Sequence, residues 1–183
     1  MNKSGKRACL LDRDGTIIID RVYLNDPDGI SYLTGAIEGL RNMRDMGYLL
    51  FVVTNQSGIA RGVVTMANLD RIHAKMRSDL AEQGIEIAGF YYAPYSAEST
   101  HFARKPNPGM LVYAAQDFGV DLSQSWMIGD RMIDVEAGHR AGCRSIMLKG
   151  TETPETRPDL VGPEAYVANL QEAAAFIKAS PAI

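Results

Sequence analysis

The sequence predicts an α/β fold in three layers, with a central, mainly parallel sheet between helices on both faces. Two observations predict it. Short β-like apolar runs alternate along the chain with longer segments of helical period, the pattern of a parallel sheet whose crossovers are helices. The 183 residues also suit one continuous core, so 1–183 is read as one domain.

The elements follow in chain order. Residues 8–12 form an apolar run ending at Asp12, a first buried strand. Residues 17–33 read as a hairpin-like flap, because Asn25-Asp26-Pro27-Asp28-Gly29 places turn chemistry between two short apolar runs. Over 35–46, Ile37, Leu40, Met43 and Met46 share a helical face, and Gly47 suits the C-terminal cap. A strand at 49–55 leads to a helix over 65–83, where Met66, Leu69, Ile72, Met76 and Leu80 recur at three- and four-residue steps. Thr65 can cap its start and Gly84 its end. His73, inside it, reads as a surface or packing residue. A third strand, 89–94, precedes a helix over 108–118 with proline in its first turn. Strands at 125–130 and 143–148 flank a helix over 133–141. A weaker strand near 165–168 and a helix over 170–179 end the series, after a surface connection at 150–163 rich in Thr, Pro and Glu.

Composition excludes several function classes. With 46% hydrophobic and 22% charged residues, nothing pushes the chain toward disorder or fibre. A net charge of -3 without a Lys/Arg cluster argues against nucleic acid or an anionic membrane as the main partner. No apolar run approaches the ~20 residues of a membrane span. Cys9 and Cys143 sit far apart in apolar runs and read as core residues, with neither a disulfide framework nor a zinc ribbon. Residues 1–7 are polar and lack the apolar segment of a secretory signal. A cytoplasmic monomer with a small-molecule partner is expected.

Chemistry concentrates at the strand ends. The first ends in Asp12-Arg13-Asp14-Gly15-Thr16, two carboxylates where an α/β sheet opens toward its ligand crevice. By itself this pair is as compatible with an ordinary turn. The second ends in Thr54-Asn55-Gln56-Ser57-Gly58, whose hydroxyls, amides and backbone can cradle phosphate oxygens. After the third comes Arg104-Lys105-Pro106-Asn107-Pro108, two cations before a helix. The fourth ends in Gly129-Asp130, with Asp134 one helical turn later, and carboxylates so placed suit a hard cation such as magnesium.

In type, order and strand context these four motifs resemble those of the haloacid dehalogenase (HAD) superfamily of phosphohydrolases, over residues 1–150. The resemblance implies a three-layer, Rossmann-like (HAD-like) fold with a minimal cap, Mg2+ as cofactor, and an aspartyl-phosphate intermediate on Asp12. It implies that Asp14 protonates the leaving oxygen and then activates water, and that magnesium is held by Asp12, the backbone carbonyl of Asp14, and Asp130. Thr54, Asn55 and Lys105 are implied to bind the transferring phosphoryl oxygens, with Gln56 and Ser57 beside them. Arg104 and Arg131 are implied to lie near the substrate body or a second phosphate, and Asp20 and Tyr23 over sugar hydroxyls.

Within the superfamily, D-R-D-G-T, T-N-Q-S-G-I-A-R-G, R-K-P-x-P-G-M and G-D-R are similar to D-glycero-D-manno-heptose 1,7-bisphosphate phosphatases and histidinol-phosphate phosphatases. Such enzymes commonly carry a zinc loop of Cys and His. Residues 92–103 contain no cysteine, and His101 alone cannot complete a site of about four ligands, so a shortened loop without zinc is expected. The expected reaction is removal of the C7 phosphate from the heptose bisphosphate, a step toward lipopolysaccharide precursors, with histidinol phosphate as the enzymatic alternative. A nucleic-acid 3'-phosphatase is disfavoured by the acidic balance. A catalytically idle sugar-phosphate-binding protein should lack a nucleophile, acid or metal ligand, and none is missing.

Overall fold

The computed structural model describes residues 5–181. Residues 1–4, part of the polar start from which no secretory segment is expected, lie outside the described residues, as do 182–183. Six strands, β1 (Ala8–Leu11), β2 (Leu49–Asn55), β3 (Gly89–Ala93), β4 (Trp126–Gly129), β5 (Arg144–Leu148) and β6 (Ala165–Val167), form one sheet in the order β3-β2-β1-β4-β5-β6. Every pairing is parallel. From β1 the chain winds outward to β3, then crosses back to β4 beside β1 and winds the other way. The carboxyl ends of β1 and β4 therefore flank the switch point, where doubly wound sheets bind ligands.

Strand side chains alternate between faces, and the two faces build separate cores. Cys9 and Leu11, Leu50 and Val52, and Trp126 and Ile128 pack against α1 (Ala36–Asp45), α3 (Met66–Glu82) and α6 (Leu170–Ala179). Ala8 and Leu10, Phe51 and Val53, and Met127 pack against α4 (Gly109–Phe118) and α5 (Met132–Ala141). Both cysteines are free and buried, as small core residues. Among the described residues no helix is long and apolar enough to cross a membrane.

The helices run to within a residue or two of the predicted limits. Thr65 caps α3 by accepting from Asn68 N. Helix α5 begins one residue early, at Met132, because the Asp134 carboxylate accepts the Arg131 backbone N–H and fixes the first turn. A short helix, α2 (Ser57–Ala60), follows β2 directly. The flap is not a regular hairpin. A single antiparallel bridge, Ile18 to Tyr32, closes it, with backbone bonds Ile19 N to Ser31 O and Leu33 N to Ile17 O. Its tip is a 3-10 turn, Pro27–Gly29, in which the proline has no N–H to extend a ladder. Buried Ile17, Ile18 and Leu24 anchor the loop to the core.

Candidate active site

Three carboxylates meet at the switch point. Asp12 leaves β1 with its N–H bonded to Ile128 O at 2.9 Å, Asp130 follows β4, and Asp134 sits in the first turn of α5. All three are buried, and each offers an oxygen within 4.8 Å of the others. Lys105 closes the group. Its Nζ lies 2.9 Å from Asp12 Oδ1 and 2.7 Å from Asp134 Oδ1, as ion pairs, and donates to Val53 O at 2.8 Å.

One ammonium against three carboxylates leaves the cluster short of positive charge. Burial first, then repulsion from Asp12 and Asp134, pushes Asp130 up to about 7. Asp134 is also raised, chiefly by burial, although Lys105 opposes this. For Lys105 burial works against the charge, yet Asp12 and Asp134 outweigh it and hold the ammonium protonated. Asp130 Oδ1 is buried with no hydrogen-bond partner among the described residues. An all-carboxylate donor set with an unmet oxygen fits a hard divalent cation. Gly15 lets the chain come this close: its φ of 77° is in the left-handed region, and a Cβ there would collide with the Asp130 carboxylate.

The Asp14 carboxylate stays out of that cluster. Arg13 Nε donates to its Oδ2 at 3.0 Å and Arg13 Nη2 to its Oδ1 at 3.1 Å, while Gln56 Nε2 donates to Oδ2 at 3.1 Å. Burial raises its pKa; Arg13 opposes the rise and Asp12 adds to it. Gln56 gives its other hydrogen to Thr54 Oγ1 at 2.9 Å, so the Thr54 hydroxyl keeps its proton to donate. Asn55 is largely committed elsewhere: its Oδ1 accepts from Lys105 N at 3.1 Å and its Nδ2 donates to Lys105 O at 3.0 Å. Through those two hydrogen bonds β2 fixes the backbone of the lysine.

With the exception of Asp130, every residue that sequence reasoning placed in the site lines one cleft of about 150 Å³. Asp130 faces an adjoining hollow that shares Asp20 with it. Asp20 is exposed and accepts from Val22 N at 2.7 Å. Tyr23 packs against Gly58, where a Cβ would meet its ring at 2.8 Å. Ser57 opens α2 at the cleft wall. Arg104 donates to Tyr95 O, and Arg131 pairs with Glu152 at 2.9 Å. Burial lowers the Arg104 pKa, Glu98 opposes the fall and Arg131 adds to it in smaller part, and both guanidiniums line the cleft.

Sequence reasoning missed three contributors. Asp134 was noted beside Asp130 but not placed among the metal-binding residues; its signal was an acid at the third position of a helix that starts from a strand-end aspartate. Arg13 is 1% exposed, and its Nη1 donates to His73 Nε2 at 3.3 Å. His73 is a buried packing residue, stacked on Phe90 at 4.7 Å. No local pattern announces that pair. His101, the residue left over in the cysteine-free loop, stacks on Tyr95 at 3.9 Å, and its Nδ1 accepts from Ala103 N.

The geometry agrees with known proteins. Residues 102–173 match the HAD-hydrolase-like family model. The D-glycero-β-D-manno-heptose-1,7-bisphosphate 7-phosphatase of Pasteurella multocida is 39% identical over 82% of this chain and 85% of that one. Its counterpart from Salmonella typhi is 38% identical over 81% and 83%. The solved D,D-heptose 1,7-bisphosphate phosphatase of B. bronchiseptica, complexed with magnesium and phosphate, matches with a TM-score of 0.83 and 29% identity, over 94% of this chain and 98% of that one. With its buried aspartates at the switch point and this degree of identity over most of both chains, the protein is a HAD-type phosphatase and belongs to the D-glycero-β-D-manno-heptose-1,7-bisphosphate 7-phosphatase family.

Proposed function

We propose that this phosphatase removes the C7 phosphate of D-glycero-D-manno-heptose 1,7-bisphosphate, with Asp12 as nucleophile and Asp14 as general acid and base. The observation that carries this reading is the buried Asp12–Lys105 pair beside Asp130 and Asp134. It supplies a nucleophile held in place and a site for a cation.

In the first step a carboxylate oxygen of Asp12 attacks phosphorus, the bond from phosphorus to the sugar oxygen breaks, and the Asp14 proton passes to that oxygen. In the second, water gives a proton to Asp14 and attacks the acyl phosphate. The bond to Asp12 breaks, and inorganic phosphate leaves. Lys105 aims Asp12, and the Thr54 hydroxyl, backbone N–H groups at the start of α2 and the ammonium of Lys105 meet the charge gathering on the phosphoryl oxygens. Asn55 serves chiefly by holding Lys105. A magnesium ion bound by Asp12, Asp130 and the backbone carbonyl of Asp14 would supply the positive charge that lets a carboxylate approach a phosphate dianion. Asp134 balances Lys105. Arg104 and Arg131, both lining the cleft, favour a substrate with a second phosphate, and Asp20 and Tyr23 face its hydroxyls.

Phosphate release tests the substrate. The heptose bisphosphate is expected to exceed histidinol phosphate in kcat/KM by about tenfold to a hundredfold, the worth of one charge-assisted hydrogen bond of about 1.5–3 kcal/mol. Preference for histidinol phosphate, or for a 3'-phosphorylated oligonucleotide, would replace the substrate and leave the phosphatase chemistry standing.

A further inference from the structure

Arg13 is an expensive residue to bury. Taking a guanidinium out of water costs several kcal/mol even after relaxation, and at 1% exposure it is among the largest fully buried side chains of the protein. An apolar side chain would fill the space without that cost. Neighbours on a strand point to opposite faces, but the chain has left β1 at Leu11, and the turn that follows brings Arg13 and Asp14 side by side. The turn is itself pinned, since Arg13 O accepts from Ile17 N at 2.9 Å and from Ile18 N at 3.0 Å.

The guanidinium spans the carboxylate, Nε to Oδ2 at 3.0 Å and Nη2 to Oδ1 at 3.1 Å, with Nη2 also 2.9 Å from Oδ2. Its remaining edge, Nη1, rests on His73 Nε2. A guanidinium only donates, so this nitrogen accepts, and the imidazole is neutral with its proton on Nδ1. Stacking on Phe90 fixes the imidazole plane. Asp14 Oδ2 receives both Arg13 Nε and Gln56 Nε2, which fills its two lone pairs. Oδ1 receives only Nη2 and keeps one lone pair free.

Building on the role of Asp14 given above, we propose that Arg13, braced by His73, is the positioning residue of Asp14: the fork clamps both oxygens and turns Oδ1 alone toward the leaving group. Arg13 touches no reacting atom. Its contribution is to hold one torsional state of Asp14, and displacement of a reacting group by about 1 Å can cost about a hundredfold in rate. Lysine carries the charge but not the planar fork, so Arg13→Lys separates geometry from electrostatics.

The test is leaving-group dependence of kcat/KM, which reports the steps through phosphoryl transfer to Asp12. The leaving group of heptose bisphosphate is a poorly departing sugar alkoxide that needs a proton, whereas that of 4-nitrophenyl phosphate is a stable phenolate that does not. Arg13→Lys is expected to lower kcat/KM about a hundredfold on the sugar phosphate, with at least tenfold less loss on the nitrophenyl ester. Asp14→Asn should show the same asymmetry. His73→Phe should show a weaker form of the Arg13→Lys pattern, and His73→Gln, which retains an acceptor for Nη1, should show less of it than His73→Phe. Equal losses on both substrates in the folded Arg13→Lys protein, or no loss on either, would overturn the proposal. Should Arg13→Lys fail to fold, the His73 pair decides, and indistinguishable profiles for His73→Gln and His73→Phe overturn it. If Asp14→Asn is itself indifferent to the leaving group, the role of Asp14 falls and the proposal with it. An asymmetric Asp14→Asn beside an indifferent Arg13→Lys sinks the proposal alone.

Discussion

The Lys105 ammonium lies 2.7 Å from the Asp134 carboxylate, and both side chains are only 1% exposed. Removing one partner from a buried ion pair strands the other charge, at about 3–5 kcal/mol. Here Asp12 remains as a second partner, so the cost should fall toward the low end. Asp134→Asn should therefore lower the melting temperature by several degrees, at about 2–4 °C per kcal/mol for a chain of this size. It should also reduce turnover about a hundredfold as Lys105 loses its aim. An unchanged melting temperature in a calorimetric scan would show that the pair contributes nothing to the fold.

The all-carboxylate cluster leads to a prediction about metal. Chelation should stop turnover and magnesium should restore it. Because the ion binds the folded state, saturating magnesium should raise the melting temperature, by the equivalent of about 2.7 kcal/mol at a hundred times its Kd. Asp130→Asn should erase most of that shift. A shift equal to that of the wild type would remove Asp130 from the cation site.

Gly15 tests how tightly Asp130 is packed. Gly15→Ala places a β-carbon against the Asp130 carboxylate and forces a left-handed backbone that costs an L-residue about 1–2 kcal/mol. Lower stability together with a weaker magnesium-induced thermal shift is expected. Stability loss with an unchanged shift would mean that the carboxylate tolerates displacement.

His73 provides a pH test of the buried Arg13 network. Burial, then Arg13 and Arg77, depress its pKa to about 3 from an ordinary 6.5. Below pH 6.5 the unfolded chain takes up a proton that the folded one refuses, until the pH nears 3. Its contribution to stability is thus fully present above about 6.5 and is lost as pH falls toward 3, with a slope of at most about 1.4 kcal/mol per pH unit. Urea unfolding at pH 7 and 5 should show a steeper acid loss in wild type than in His73→Gln. Parallel losses would mean that His73 is free to titrate in the fold.

How much of this was legible follows from what each residue does locally. Asp12, Thr54 and Asp130 could be found because each ends an apolar strand with a polar side chain, and Lys105 because a basic pair precedes a proline-marked helix. The parallel sheet could be read from the alternation of apolar runs. Arg13 and His73 could not be paired, because sixty positions separate them and an arginine between two aspartates looks like turn chemistry. Likewise, the residue type of Asn55 shows two donors and an acceptor, but not that the backbone of Lys105 uses them. The flap read as a hairpin because turn residues identify a reversal and not the ladder beside it, which here is one bridge.

Trapping the intermediate tests the central claim most directly. Wild-type enzyme quenched with acid during turnover of heptose bisphosphate should carry one phosphoryl group, located by peptide mass spectrometry on Asp12 and absent from Asp12→Asn, which should fold normally and not turn over. Phosphoryl transfer to a different residue, or appreciable turnover by Asp12→Asn, would contradict it.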